Sequence, residues 1–184
     1  MLDKRKFYIN GQWVEPSKKN DFDVINPSDE TVCAVISLGS QEDTNAAVTA
    51  ARAALPSWAN SSKEDRVALL ERLYSIYQRR MDEMAEVISM EMGAPIDFAK
   101  RSQAPSGTEA IEDFLIQLKK FEFEKQLDDS DNQLIYEPKG VCALITPWNW
   151  PISQVALKVI PAIAAGCTMV LKPSEIAPLD SMIF

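Results

Sequence analysis

The chain has 184 residues, 46% of them apolar, enough to bury a core of its own within one domain or slightly more. With 19 basic against 27 acidic side chains the net charge is −8, which argues against a nucleic-acid protein, whose affinity rests on Lys and Arg meeting phosphates. Histidine is absent, and with it Ser/His and Cys/His nucleophilic pairs and His-ligated zinc.

The charge is unevenly placed. Residues 140–184 hold only Lys158, Lys172, Glu175 and Asp180, so this part reads as buried core and the preceding part as solvated helices and strands. The uncharged run Gly140–Leu157 contains Pro147, Asn149, Pro151 and Gln154. These would break a helix and strand polar groups in lipid, so no membrane span is expected. The three cysteines, Cys33, Cys142 and Cys167, form no CxxC pair. The opening MLDKRKFYING has no apolar leader segment, and together these fit a reducing, cytoplasmic setting.

In chain order, Phe7–Ile9 and Gln12–Val14 flank Asn10-Gly11 and predict a hairpin with a tight I′ turn. Asp23–Pro27 and Thr31–Ile36 predict two further strands joined through a Pro-Ser-Asp turn. Ser40 with Asp43 three residues on predicts a capped helix start. Its apolar stripe is rich in alanine, so it can pack close to a neighbour, and Pro56 is expected to end it. Ser61 with Glu64 predicts a second capping box. Leu70, Leu73, Tyr74, Tyr77, Met81, Met84, Ala85 and Ile88 recur at helical spacing, as one helix stopped by Gly93 and Pro95. A further helix is expected from about Ser106 to Gln126, with Pro105 at its start or at a kink. Asp128, Asp129 and Asp131 read as a solvated turn, because three carboxylates without a calcium-loop spacing are weak metal evidence.

The texture changes near Leu134-Ile135-Tyr136, a candidate strand. Val141–Thr146 is an apolar run without alternation, which predicts burial on both faces, as in a parallel sheet. Ile152–Ala165 follows as a helix containing Pro161 and capped by Gly166, and Thr168–Lys172 is a second strand stopped by Pro173. This strand–helix–strand unit has the length of a parallel crossover, and Ser174-Glu175 lead toward another helix. The fold class is therefore α/β. Residues 1–139 would be N-terminal strands and helices, and 140–184 the start of a βαβ core.

In an open parallel sheet, ligands bind beyond the carboxyl ends of the strands. Two segments fall there: Thr146-Pro147-Trp148-Asn149-Trp150-Pro151 and Lys172-Pro173-Ser174-Glu175. The two prolines would hold Asn149 in fixed orientation. Its amide can donate to an oxygen that becomes negative during a reaction, or it can simply cap the next helix. Lys172 and Glu175 offer a cation and a carboxylate to hydroxyls or phosphates, or stand as an ordinary solvated strand end. Neither GxGxxG nor GxxxxGK[ST] occurs, so both common phosphate-cradling loops are missing. Trp148 and Trp150 also read as plain core aromatics, and Met81, Met84, Met90 and Met92 as helix packing.

The run PWNWP after an apolar strand, then a helix closed by Gly, then LKPSE, resembles the aldehyde dehydrogenase superfamily. FYINGQWV, Asn26-Pro27 and Ala50-Ala51-Arg52 agree in order and spacing, and the resemblance covers nearly the whole sequence. It implies an aldehyde dehydrogenase-like fold with an incomplete parallel dinucleotide-binding sheet. It implies NAD(P)-dependent oxidation of an aldehyde to a carboxylic acid through a thioester, with an aldehyde substrate and a homo-oligomer, dimer or tetramer, contacting through residues about 132–138. By the same resemblance Asn149 would be the catalytic oxyanion donor. Ile145, Thr146, Pro147 and Trp148 would line the nicotinamide cofactor's path, Lys172, Ser174 and Glu175 would hold the adenosine ribose, and Trp150 and Gln154 would face the substrate channel. Glu175 favours a free 2′-hydroxyl, hence NAD over NADP. No metal is implied.

The family's cysteine nucleophile and glutamate base come later in the chain than position 184, so neither can be assigned here. The first expectation is a truncated, catalytically inert part of an enzyme, with apolar surface and sheet edge exposed. The alternative is a stand-alone nucleotide-binding or subunit-interaction module reusing half the fold. An enzyme using Cys142 or Cys167 is disfavoured, because a buried thiol has a raised pKa and is poorly reactive. Free cysteine is usually core filler.

Overall fold

The computed structural model describes residues 1–128 and 130–184. Asp129 lies outside the described residues, and with it part of the acidic turn expected there. The chain is a mixed α/β structure. Strand β1 (Leu2–Lys4) lies parallel to β5 (Thr31–Ser37), which pairs antiparallel with β4 (Asp21–Asn26). Strands β2 (Phe7–Ile9) and β3 (Gln12–Val14) form the expected hairpin. At its tip Asn10 and Gly11 take φ of 52° and 75°, the pair of positive values that a I′ turn demands.

Helix α1 (Gln41–Ala59) begins at the Ser40–Asp43 capping box. It does not stop before Pro56, as expected, but runs on through it. Pro56 costs the helix one bond, to the carbonyl of Arg52, and both residues are exposed, so water can take that carbonyl. Helix α2 (Lys63–Arg79) starts one residue later than expected, from a Ser62–Asp65 box. Ser61 is instead spent on the Trp58 carbonyl and the Arg66 guanidinium. The single helix expected across Leu70–Ile88 is two, α2 and α3 (Met81–Met92). They break at Arg80, whose N–H bonds the Tyr77 carbonyl at 2.9 Å while its side chain grips Glu83. Gly93 closes α3 at φ 80°.

A short helix α4 (Ile96–Phe98) and a π-helical turn (Ala99–Gln103) lead into α5 (Pro105–Lys120). Pro105 takes the first helical position, where a missing N–H costs nothing. The helix expected to reach Gln126 ends at Lys120. Phe121 turns extended and its ring meets Phe123 at 4.9 Å and Tyr136 at 5.1 Å. That aromatic cluster draws the chain into β6 (Glu124–Gln126), antiparallel to β7 (Gln133–Ile135).

Strand β8 (Val141–Ile145), helix α6 (Pro151–Ala164) and strand β9 (Thr168–Lys172) form the parallel unit. Thr168 and Leu171 point to opposite faces of β9 by strand alternation. The Thr168 hydroxyl donates to the Ala51 carbonyl of α1 at 2.8 Å, and Leu171 packs on the core that α6 shares with α2, α3 and α5. The small-residue face of α1 thus approaches the strands closely. Full burial on both faces is not realised. Leu144 is buried, but Ala143, Ile145 and Lys172 are exposed, and β8 has a strand partner on one edge only among the described residues. The chain ends in α7 (Leu179–Ile183), the helix expected after Ser174-Glu175. No helix of the described residues is long and apolar enough to cross a membrane.

Candidate active site at the carboxyl ends of the parallel strands

Strands β8 and β9 pair in register from Val141↔Thr168 to Ile145↔Lys172, and the Thr146 N–H reaches the Lys172 carbonyl at 3.3 Å. The two segments that carry the candidate chemistry therefore leave the sheet side by side. Ile145 is 68% exposed and Trp148 47%, with Pro147 and Asn149 also at the surface. Thr146 is buried, as expected for a residue that still extends the ladder.

Asn149 does not cap α6. The cap position is Trp150, Pro151 is the first helical residue, and no side chain makes a capping bond there. The capping alternative is therefore not the use of this amide. Trp150 stands edge-on to Phe98 of α4, ring centroids 5.7 Å apart and planes at 80°. Phe98 is part of this surface and was not singled out in the sequence, where it lies outside any apolar periodicity. Gln154 sits one turn into α6, half-buried, its N–H bonded to the Trp150 carbonyl at 3.0 Å.

On the β9 side, Lys172 and Glu175 pair with each other at 2.8 Å. The ammonium's hydrogen bond holds the Glu175 carboxyl below its ordinary range. Both side chains are exposed, so the pair is worth only about 0–1 kcal/mol and opens readily to a competing hydroxyl or phosphate. Ser174 is buried, and its hydroxyl accepts the Ile176 N–H at 3.3 Å. It shapes the turn. Two surface hollows lie away from this edge, one at the β6–β7 turn and one between α2 and Lys119.

Neither Cys33 nor Cys142 is an activated thiol. Burial pushes Cys33 up, and burial followed by the neighbouring Cys167 thiol pushes Cys142 up. Cys167 is buried and all three are unbridged. A raised thiol is the wrong direction for a nucleophile. Among the described residues no group of three or more Cys, Asp or Glu is placed to hold a metal ion.

Comparison with known proteins follows the same segments. The sequence model described as "Aldehyde dehydrogenase family" matches residues 13–184. A 3-succinoylsemialdehyde-pyridine dehydrogenase of a Pseudomonas species is 47% identical over 184 residues, covering 100% of this chain and 38% of the relative. A crystal structure of an aldehyde dehydrogenase from Bartonella henselae superposes with a TM-score of 0.98 at 51% identity, over 100% of this chain and 39% of that one. A mutant aldehyde dehydrogenase C from Pseudomonas syringae, in complex with NAD+ and octanal, superposes with a TM-score of 0.94 at 43% identity, over 97% of this chain and 36% of that one. The chain spans about 38% of the length of the curated relatives it matches.

Proposed function

Because the chain belongs to the aldehyde dehydrogenase family, we propose that it forms the N-terminal part of an oxidoreductase that oxidises aldehydes to carboxylic acids with NAD(P)+. The observation that carries this reading is the register Ile145↔Lys172, which sets the Thr146–Pro151 turn beside Lys172–Glu175 at the strand ends. Residues 140–184 would open the dinucleotide-binding core, with 1–139 packed around it.

The donor set suits a nicotinamide dinucleotide. Lys172 offers a cation and Glu175 an acceptor for ribose hydroxyls, and both side chains are exposed. Ile145, Thr146, Pro147 and Trp148 would line the cofactor's path, with Ile145 and Trp148 presenting exposed apolar surface to it. Ser174 would fix the turn from which Glu175 reaches out. Bound NAD+ supplies the acceptor for the two electrons removed from the substrate. Glu175 favours a free 2′-hydroxyl over a 2′-phosphate, so NAD is the preferred form. Asn149, exposed and not spent on α6, would donate its amide to the aldehyde oxygen as that oxygen becomes negative. Trp150 and Gln154 would border the substrate channel beside it.

The whole enzyme would assemble as a dimer or tetramer, with Leu134, Ile135 and Tyr136 in the contact. All three are exposed on the β6–β7 hairpin. No cysteine of this chain is proposed as the nucleophile, so these 184 residues alone should be catalytically inert. Incubating them with an aldehyde and NAD+ and following NADH absorbance tests this. We expect no turnover. Turnover that survives Asn149→Ala but is abolished by thiol alkylation would overturn the reading.

A further inference from the structure

Two carboxyls lie deep in the structure, outside the strand-end site. Glu91 of α3 is 1% exposed and Asp180 of α7 is 0% exposed. Glu91 accepts the first two N–H groups of α7, from Leu179 at 2.6 Å and from Asp180 at 2.8 Å. This is a tertiary helix cap supplied from 88 residues away. The Asp180 carboxyl takes the Ser181 hydroxyl at 3.3 Å, with the backbone N–H groups of Ser181 and Asp180 also acting on it, and its Oδ2 is buried without a hydrogen-bond partner among the described residues.

No cation answers this pair. Tyr77 of α2 and Cys33 of β5 are neutral and donate elsewhere, to the Ala104 carbonyl at 2.7 Å and the Val24 carbonyl at 3.3 Å. Arg80, at the α2–α3 junction, is engaged by Glu83 at 2.7 Å and by the Ile183 carbonyl at 3.0 Å. On α6, which packs on α7, the one charged residue is Lys158, and on β4 the charged residues are Asp21 and Asp23. On the π-helical turn packed against α3, Lys100 pairs with Asp82 at 3.3 Å and Arg101 donates to the Asp97 carbonyl at 3.1 Å.

One negative charge on the pair is stabilised by the two backbone donors. A second would sit beside the first in a dry site with nothing to neutralise it. We propose that Glu91 and Asp180 share one proton as a carboxyl–carboxylate pair, forming a latch that holds the first turn of α7 to α3 and loosens as pH rises. Burial pushes both carboxyls above the ordinary carboxylate range; Asp180 raises Glu91 further while the bond from Glu91 partly lowers Asp180, so they titrate as a unit. The sign follows from linkage. Above the ordinary carboxylate pKa the unfolded chain has released this proton and the folded chain has kept it. The latch is therefore strongest at low pH and weakens until the proton is lost. Its position matters because α7 follows the turn carrying Ser174 and Glu175.

The test is carbon-13 NMR of Asp and Glu carboxyls in the 184-residue chain, read together with amide exchange at Leu179 and Asp180. We expect one carboxyl resonance of the pair to titrate well above the ordinary range. We also expect intrinsic-rate-corrected protection of the two amides to fall by up to about tenfold per pH unit beyond it, the limit for one linked proton. Asp180→Asn removes the second carboxyl and keeps the Glu91 cap, and should lessen the pH dependence of protection to what the burial of Glu91 alone causes. Both carboxyls titrating in the ordinary range, or identical pH dependence in the chain and Asp180→Asn, would overturn the proposal.

Discussion

Ile145 and Lys172 stand opposite one another as the last registered pair of two parallel strands, and the Thr146 N–H extends the ladder by bonding the Lys172 carbonyl. One consequence is that Asn149 and Glu175, 26 residues apart in sequence, leave the same sheet edge.

Because Asn149 makes no capping bond to α6, Asn149→Ala should change stability by less than about 0.5 kcal/mol, against roughly 1 kcal/mol for a lost cap. Urea unfolding of the 184-residue chain measures this. In the whole enzyme the same change should lower kcat by about 10²–10³-fold, the usual cost of an oxyanion donor.

Arg66 is 5% exposed, yet among the described residues no carboxylate pairs with it. Its guanidinium donates to the Ala59 carbonyl at 2.9 Å, the Ala164 carbonyl at 3.4 Å and the Ser61 hydroxyl at 3.0 Å, and lies over the Phe123 ring. It ties the end of α1 and the end of α6 to the start of α2. Arg66→Ala should cost about 2–4 kcal/mol, since it orphans buried carbonyls. Arg66→Lys should recover little, because an ammonium cannot span the fork.

A Cβ on Gly166 would lie 2.5 Å from Arg66 Nη2, and Gly166 has φ 77°. Gly166→Ala should therefore destabilise by roughly 1–3 kcal/mol through the close contact in addition to backbone strain. The close-contact part should vanish when Arg66→Ala is already present. A double-mutant cycle by denaturant unfolding reads this, and the two losses should fall short of adding.

Burial would raise the Asp43 carboxyl, but the N–H groups of Ser40 and Ser17, each at 2.8 Å, outweigh it and hold the carboxyl below its ordinary range. A depressed carboxylate contributes stability that is present above its unfolded pKa and lost as pH falls through the folded one. Acid titration of thermal stability should show Asp43→Asn to be less acid-sensitive than the unsubstituted chain. At neutral pH the variant should be weaker by about 1 kcal/mol.

Much of this was legible in the residues because the signals are local. Asn10-Gly11 writes a hairpin turn, Ser40 and Asp43 write a helix start, and two unbroken apolar runs ending in prolines write parallel strands. What failed was decided by contacts distant in sequence. Glu124-Lys125-Gln126 carries no strand pattern and becomes β6 because Phe121 stacks on Tyr136. The doublet Ser61-Ser62 offers two cap positions, and Arg66 settles the choice by taking Ser61. Phe98 joins the Trp150 surface only once α4 has folded back. Glu91 reads as one more acidic helix residue until α7 arrives on top of it.

The most direct test of the strand-end reading is isothermal titration calorimetry of NAD+ into the 184-residue chain and into Lys172→Ala and Glu175→Ala. These exposed residues can be changed without touching the core. The account predicts binding to the unsubstituted chain that is lost in both variants. No binding to the unsubstituted chain, or binding that both variants retain in full, would contradict it.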